Sequence, residues 1–388
     1  MEKQRQAPLT ESQLINIYQE LHQIPELAMQ EVETHAYLEK VVRQFDQTNL
    51  EIKVPDEMPT ALLVLVHGSA PVRTIGYRTD IDGLPVEEQT GLPFSSTHPN
   101  VMHACGHDIH MSVALGLLSY FASHQPKDNL LFFFQPAEES LNGGKTAYEQ
   151  NVFTGKWRPD EFYGLHDNPD LSVGAIGCRM GTLFAGTTEV DVDFYGKGGH
   201  AAFPQDANDM VVAASQFINQ VQTIVSRSVD PIEGGVITFG KFEAGSIRNV
   251  IAGRAHLEGT IRGLTQTMIE HIDQRIKEVA DGIAQSYQAR VEVKLNQGGY
   301  WPVENNPVLT KNFITCMKQA KNVQFIETQP AMTGEDFGYL LAKIPGTMFW
   351  LGVEDDSQLH SATLKPNPKA IWLGVTAISG FLNDRMNQ

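Results

Sequence analysis

Between residues 102 and 110 the chain reads Met102-His-Ala-Cys-Gly-His-Asp-Ile-His110, which crowds Cys105, His107, Asp108 and His110 into one short span. Cys105 and His107 stand two apart around a glycine. On an extended segment such a pair points to one side, so a sulfur and an imidazole nitrogen can converge on one cation. A second cluster, Phe134-Gln-Pro-Ala-Glu-Glu139, puts two carboxylates directly after an apolar run. One carboxylate can then ligate a metal while its neighbour faces a water, the division of labour that metal-assisted hydrolysis requires. A third cluster, Arg78-Thr-Asp-Ile-Asp82, ends another apolar run with two acids. His166, in Tyr163-Gly-Leu-His-Asp167, and His360, in Gln358-Leu-His360, stand alone after apolar stretches. Histidine is the commonest metal ligand.

Two glycine-rich stretches carry no comparable chemistry. Asn142-Gly-Gly-Lys-Thr146 resembles the end of a phosphate loop, but the full pattern needs Gly at position 139, which is Glu. Gly196-Lys-Gly-Gly-His200 lacks dinucleotide spacing and reads as a hairpin or bulge.

The surrounding pattern supplies elements that could position these groups. Thr10 to Gln13 forms a capping box, followed by Leu14, Ile15, Tyr18 and Leu21 at helical spacing up to Pro25. A second helix is expected from about 31 to 45. Strands are expected at 61–66, 72–77 and 129–134, and a buried helix at 111–121. Strands alternating with helices predict an α/β layer with a largely parallel sheet, whose ligands gather at the strand carboxyl ends. From about 185 the pattern changes: Glu189-Val-Asp-Val-Asp-Phe-Tyr195 alternates strictly, then a helix follows over 208–228. Strands at 235–240 and 255–262, a helix over 267–287 and a strand at 290–295 complete β-α-β-β-α-β, a ferredoxin-like unit. Helices near 307–321 and 336–342 and a strand at 348–352 resume the first pattern. The expected organisation is a discontinuous α/β domain, 1–184 and 297–388, with an inserted domain at 185–296.

Jointly the motifs resemble the aminoacylase and carboxypeptidase G type metallohydrolases, in their amidohydrolase branch. The resemblance spans nearly the whole chain. It rests on Leu21-His-Gln-Ile-Pro-Glu26, Arg78-Thr-Asp-Ile-Asp-Gly-Leu-Pro85, His103-Ala-Cys-Gly-His-Asp108, Gln135-Pro-Ala-Glu-Glu139, Gly196-Lys-Gly-Gly-His-Ala-Ala-Phe-Pro204, Gly334-Glu-Asp-Phe337 and His360. It implies a two-domain metallohydrolase that removes the acyl group from a small N-acyl amino acid. Two divalent metal ions (Zn, Mn, Co or Ni) would be held by Cys105, His107, Glu139, His166 and His360. Glu138 would be the general base that takes a proton from the attacking water. Asp80 would orient a ligand, with Asp82 as the rival for that role. Other branches carry His where Arg78 stands two residues ahead of Asp80. The inserted domain would mediate a homodimer, its His200 polarising the scissile carbonyl, while Asn249 and Arg262 hold the substrate's carboxylate.

Composition is consistent with this reading. The 388 residues carry 29 Lys+Arg against 46 Asp+Glu, a net charge of −17, so nucleic acid and anionic membranes are not expected partners. Hydrophobic residues at 41% and charged residues at 19% are ordinary globular usage. Three cysteines cannot build a disulfide framework. No apolar leader or membrane span is apparent near the polar start, so the expected compartment is the cytoplasm. Two rival classes remain distinguishable. Thiol catalysis by Cys105 with a nearby His leaves the Glu138–Glu139 pair without a role. A binding protein on the same scaffold has no use for Glu138.

Overall fold

The computed structural model describes residues 7–230 and 232–388; the polar start of the chain at 1–6 lies outside the described residues. The chain divides into two compact units. The first runs up to Leu183 and takes in Glu304–Gln329 and Tyr339–Gln388; the second is Phe184–Val303 with Pro330–Gly338.

The first unit is built on an eight-stranded sheet. Its strands are β1 (Leu50–Lys53), β2 (Leu62–Val66), β3 (Thr74–Asp80), β4 (Asn129–Gln135), β5 (Glu161–Asn168), β6 (Ile176–Cys178), β15 (Phe325–Glu327) and β16 (Gly346–Gly352). They lie in the order β1-β2-β4-β3-β5-β16-β6-β15. The sheet is mixed rather than largely parallel. β4-β3-β5-β16 run parallel at its centre, while β2 pairs antiparallel with both β1 and β4. β2 and β3 follow one another in sequence but are not neighbours, because β4 inserts between them. β2, β3 and β16 are buried along their whole length. That burial on both faces is why β2 and the middle of β16 read as apolar runs. A two-residue ladder pairs β7 (Gly181–Thr182) with β14 (Glu304–Asn305).

Helix α1 (Glu11–His22) opens with the expected capping box: the Thr10 side chain accepts from Gln13 N, and the Gln13 side chain answers the Thr10 amide. It packs with α3 (His107–Ser123) and α9 (Lys369–Met386), while α2 (Val32–Val42) also touches α3. Leu14, Tyr18, Leu21, Val113, Leu117, Ile378 and Phe381 join the core that covers Ile75, Tyr77, Phe132 and Phe134 of the sheet. α4 (Gly143–Glu149) and α7 (Pro307–Gln319) also belong to the first unit, as does the short α8 (Phe337–Leu341) from Tyr339 onward. No helix among the described residues is long and apolar enough to cross a membrane.

The second unit follows the order β8 (Gly186–Tyr195), α5 (Met210–Arg227), β10 (Gly235–Ala244), β12 (Arg254–Gly263), α6 (Gln266–Ser286), β13 (Arg290–Asn296). Its antiparallel sheet is arranged β10-β12-β8-β13. Val190, Val192 and Phe194 of β8 face Phe217, Val221, Ile272 and Ile276 of the two helices. The opposite face carries ion pairs such as Arg254–Asp193 at 3.0 Å and Lys241–Glu258 at 2.7 Å. A short pair, β9 (Gly199–His200) with β11 (Val250–Ile251), stands beside it.

Candidate metal centre

Three adjacent parallel strands deliver the first unit's chemical groups to one place, their carboxyl ends, where open α/β sheets collect ligands. Asp80 is the last residue of β3, Glu138 and Glu139 follow β4, and His166 and Asp167 close β5. The fourth contribution is the N-terminus of α3. Cys105 and His107 do not lie on an extended segment: Cys105 sits in a turn, Gly106 is left-handed (φ 72°) and His107 opens the helix four residues before the expected start. Only glycine serves at position 106, since a Cβ there would also fall 2.5 Å from the Asp167 carboxyl.

Each imidazole is aimed by its own acceptor. His107 Nδ1 donates to the Asp82 carbonyl oxygen at 2.8 Å, and His166 Nδ1 to the Asp167 carbonyl oxygen at 2.9 Å. Each Nε2 is thereby turned inward, the usual arrangement behind a metal-ligating histidine. His107 Nε2 lies 3.7 Å from Glu139 Oε1, and His166 Nε2 lies 3.4 Å from Cys105 Sγ. His360, left-handed at φ 66° and more than half exposed, brings Nε2 to 3.5 Å from Glu139 Oε2. Its amide donates to the Ala104 carbonyl at 2.7 Å, tying this distant loop to the Cys105 turn.

Cys105, His107 and His166 present ligand atoms within 4.8 Å of one another; so do Cys105, Glu139 and His360, and His107, Glu138 and Glu139. The two glutamates therefore converge on the same space. His107 Nε2 and Glu139 Oε1 are buried and have no hydrogen-bond partner among the described residues. Such orphaned ligand atoms, in a set of sulfur, nitrogen and carboxylate oxygen donors, fit a divalent cation. The electrostatics point the same way. Burial and the charges of Glu139, Asp167 and Glu138 push the Cys105 thiol well above its ordinary range. Burial pulls His107 down, but Asp80, Asp82 and Glu139 hold it well above the usual imidazole range. The protons retained here are those a cation would displace.

The two acids of the third cluster divide their contacts. Asp82 orients two candidate ligands at once: its carbonyl receives His107, and its Oδ2 accepts the Glu139 amide at 3.0 Å. Asp80 instead holds His110 Nδ1 at 2.5 Å and the fully buried Arg78 at 2.8 Å. Despite burial, His107, His110 and Arg78 keep Asp80 well below the usual carboxylate range. Asp167 likewise sits at about 2 against the effect of burial, through hydrogen bonds with His110 and His166. The sequence pattern places His110 in the 102–110 cluster without giving it a role and passes over Asp167, yet a signal for both is present. His110 is one helical turn from His107, and Asp167 adjoins His166.

His22 was noted only as part of a motif, and the structure gives it a partner. It is buried, with Nδ1 2.6 Å from Asp108 Oδ2 and Nε2 3.3 Å from Glu88 Oε1. Burial would lower its pKa, but Asp108 and Glu88 raise it from 6.5 to about 9. The folded pKa exceeds the unfolded one, so this stabilisation is complete below pH 6.5 and is lost as pH rises through 9. The shift corresponds to about 3 kcal/mol. Melting of His22→Asn against wild type should therefore show a larger deficit at pH 6 than above pH 9. An equal deficit at both would contradict the ion pairs.

The remaining expected site residues belong to the second unit. The β9–β11 ladder sets His200 opposite Val250, and the Asn249 carbonyl accepts the Ala201 amide at 3.1 Å, so His200 and Asn249 are neighbours. Arg262 lies on β12 opposite Thr187 and Val236. Gly196 to Gly199 form the approach to that ladder.

A mixed α/β sheet with a buried cluster of Cys, His and Glu at its parallel strand ends defines a hydrolase-like centre, and comparison gives it a family. Residues 76–384 match the model of peptidase family M20/M25/M40, and the chain belongs to that family. It is 71% identical over 378 residues to the N-acetyldiaminopimelate deacetylase of Limosilactobacillus reuteri (strain DSM 20016), covering 97% of this chain and 99% of that one. To the N-acetyldiaminopimelate deacetylase of Lactobacillus helveticus (strain DPC 4571) it is 70% identical over 381 residues, with 98% and 99% covered. A Bacillus subtilis structure described as a dinuclear metal-binding peptidase of the M20 family superposes with a TM-score of 0.85 at 29% identity, over 97% of this chain and 98% of that one.

Proposed function

We propose that the protein is a metal-dependent deacetylase that hydrolyses N-acetyl-L,L-diaminopimelate to L,L-diaminopimelate and acetate, a step of lysine biosynthesis in the cytoplasm. The observation that carries this reading is the 71% identity, over nearly the full length of both chains, to a deacetylase of that name. The site is its chemical counterpart. Cys105, His107, Glu139, His166 and His360 would hold two divalent cations. The cations would supply Lewis acidity, lowering the pKa of a water and polarising the amide carbonyl.

Every other step belongs to the chain's own groups. Glu138, buried beside Glu139, takes the proton of the attacking water and returns it to the departing amine. Asp82 fixes His107 and Glu139 against each other, and Asp80 holds His110 behind them. The Arg78–Asp80 ion pair, with Arg78 also donating to Gln135 at 3.0 Å, braces the ends of β3 and β4. The second unit's β-α-β-β-α-β order supports the ferredoxin-like insertion, and with it a homodimer. His200, Asn249 and Arg262 would bind substrate. Arg262 suits a carboxylate, being half-buried with no acidic partner among the described residues.

The test is acetate release from N-acetyl-L,L-diaminopimelate by purified protein, run beside hippurate and N-acetylmethionine. Preference for the diaminopimelate substrate is expected. Turnover confined to hippurate or N-acetylmethionine would keep the reaction and discard the substrate.

A further inference from the structure

Glu31 immediately precedes α2, takes no part in the ligand cluster, and is nonetheless fully buried. Its Oε1 accepts two main-chain N–H groups, from Met29 at 3.0 Å and from Ala137 at 2.9 Å. Both donors are left-handed, each with φ 60°. Residues with a side chain rarely adopt that conformation unless their surroundings enforce it. One carboxylate oxygen therefore secures two strained turns, and the second of them immediately precedes Glu138.

The rest of that turn is clamped from other sides. The Ala137 carbonyl accepts the Gly143 amide at 2.9 Å, and the Gln135 carbonyl accepts the Ile81 amide at 3.0 Å. Gly143 must be glycine, because a Cβ would lie 1.8 Å from the Pro136 carbonyl oxygen. The Ala137 amide, the group at the strained residue itself, is held by Glu31.

We propose that Glu31 is a positioning residue of the hydrolytic site: its Oε1 fixes the left-handed turn at Ala137 that directs Glu138 and Glu139 into the ligand cluster. This rests on the roles proposed above for those two glutamates. What the turn needs is an acceptor oxygen at one point, not a negative charge. Burial and the Asp82 charge push Glu31 up to about 7. Among the described residues its Oε2 is buried and accepts no main-chain N–H, with the Thr60 hydroxyl as the side-chain group that acts on the carboxyl. A proton carried on Oε2 leaves both Oε1 contacts intact.

Two near-isosteric variants separate position from charge. Glu31→Gln keeps the acceptor in place without the charge; Glu31→Asp keeps the charge and withdraws the oxygen by one methylene. Each is measured for kcat and KM in acetate release, for zinc affinity by titration of metal-free protein, and for Tm. A misplacement of about 1 Å can reduce rate on the order of 100-fold. Glu31→Asp is accordingly expected to lose kcat by roughly 10- to 100-fold with KM little changed, and to bind zinc about tenfold more weakly. Glu31→Gln should stay within about threefold of wild type in both. Glu161→Gln is the control for instability alone. It loosens the ion pair to Arg385 at the opposite end of β5, and should lower Tm while leaving kcat unchanged. The proposal is overturned if Glu31→Asp keeps wild-type kcat and zinc affinity, or if Glu31→Gln falls as far as Glu31→Asp. If wild type cleaves no N-acyl amino acid, the deacetylase reading fails by itself, and the zinc titrations still decide the role of Glu31.

Discussion

Replacing Glu138 with Gln is expected to lower kcat by about 10³-fold while metal content and KM stay near wild type. The side chain is buried, and its carboxylate shares with His107 and Glu139 a space in which their ligand atoms lie within 4.8 Å. A neutral amide of the same shape keeps the packing but cannot take a proton from water. It equally cannot return one to the amine, and an amine expelled without a proton is a poor leaving group. Both halves of the reaction therefore slow together, and the loss appears in kcat. The neighbouring substitution makes the contrast. Glu139→Gln removes an oxygen that faces His107 at 3.7 Å and His360 at 3.5 Å, so its first effect should be on metal affinity. Steady-state kinetics with metal analysis of both variants reads this directly. A Glu138→Gln enzyme within tenfold of wild-type kcat would remove Glu138 as the base.

What was legible in the sequence was whatever is encoded locally. The Thr10–Gln13 capping box, the alternation of β8 and the apolar run of β4 each report on neighbours within a few residues, and each element forms close to its expected limits. The cluster of candidate ligands was visible for a related reason: strand ends concentrate chemistry, and Asp80, Glu138 and His166 all follow apolar runs. What depends on distant partners was not visible. Nothing local distinguishes β2 pairing antiparallel with β4 from pairing parallel, so the sheet turned out mixed. The left-handed Gly106 started α3 early and replaced an extended Cys105–His107 pair with a turn and a helix start. Glu31 was further out of reach, because the amide it holds at Ala137 is 106 residues away.

Removal of metal by a chelator should abolish turnover, with a loss of at least roughly 10³-fold, and added zinc or manganese should restore it. The cluster explains why the effect should be so large. Asp80, Asp82, Glu138 and Asp167 are buried together, with Glu139 nearly so, against one guanidinium among the described residues, Arg78. Without a cation, the repulsion that Arg78 leaves is relieved by retained protons, as the raised Cys105 and His107 show. Metal removal should therefore also lower Tm, since a ligand bound only by the folded state at 1,000 times its Kd contributes about 4 kcal/mol. The same experiment disposes of thiol catalysis. A nucleophilic cysteine works as a thiolate, and reactive examples have lowered pKa values beside cationic groups. Cys105 is pushed the other way by burial and by Glu139, Asp167 and Glu138, so unaided it is a protonated thiol at neutral pH. Full activity in the presence of chelator would overturn the metal reading, and with it the reason for so many carboxylates around one cysteine.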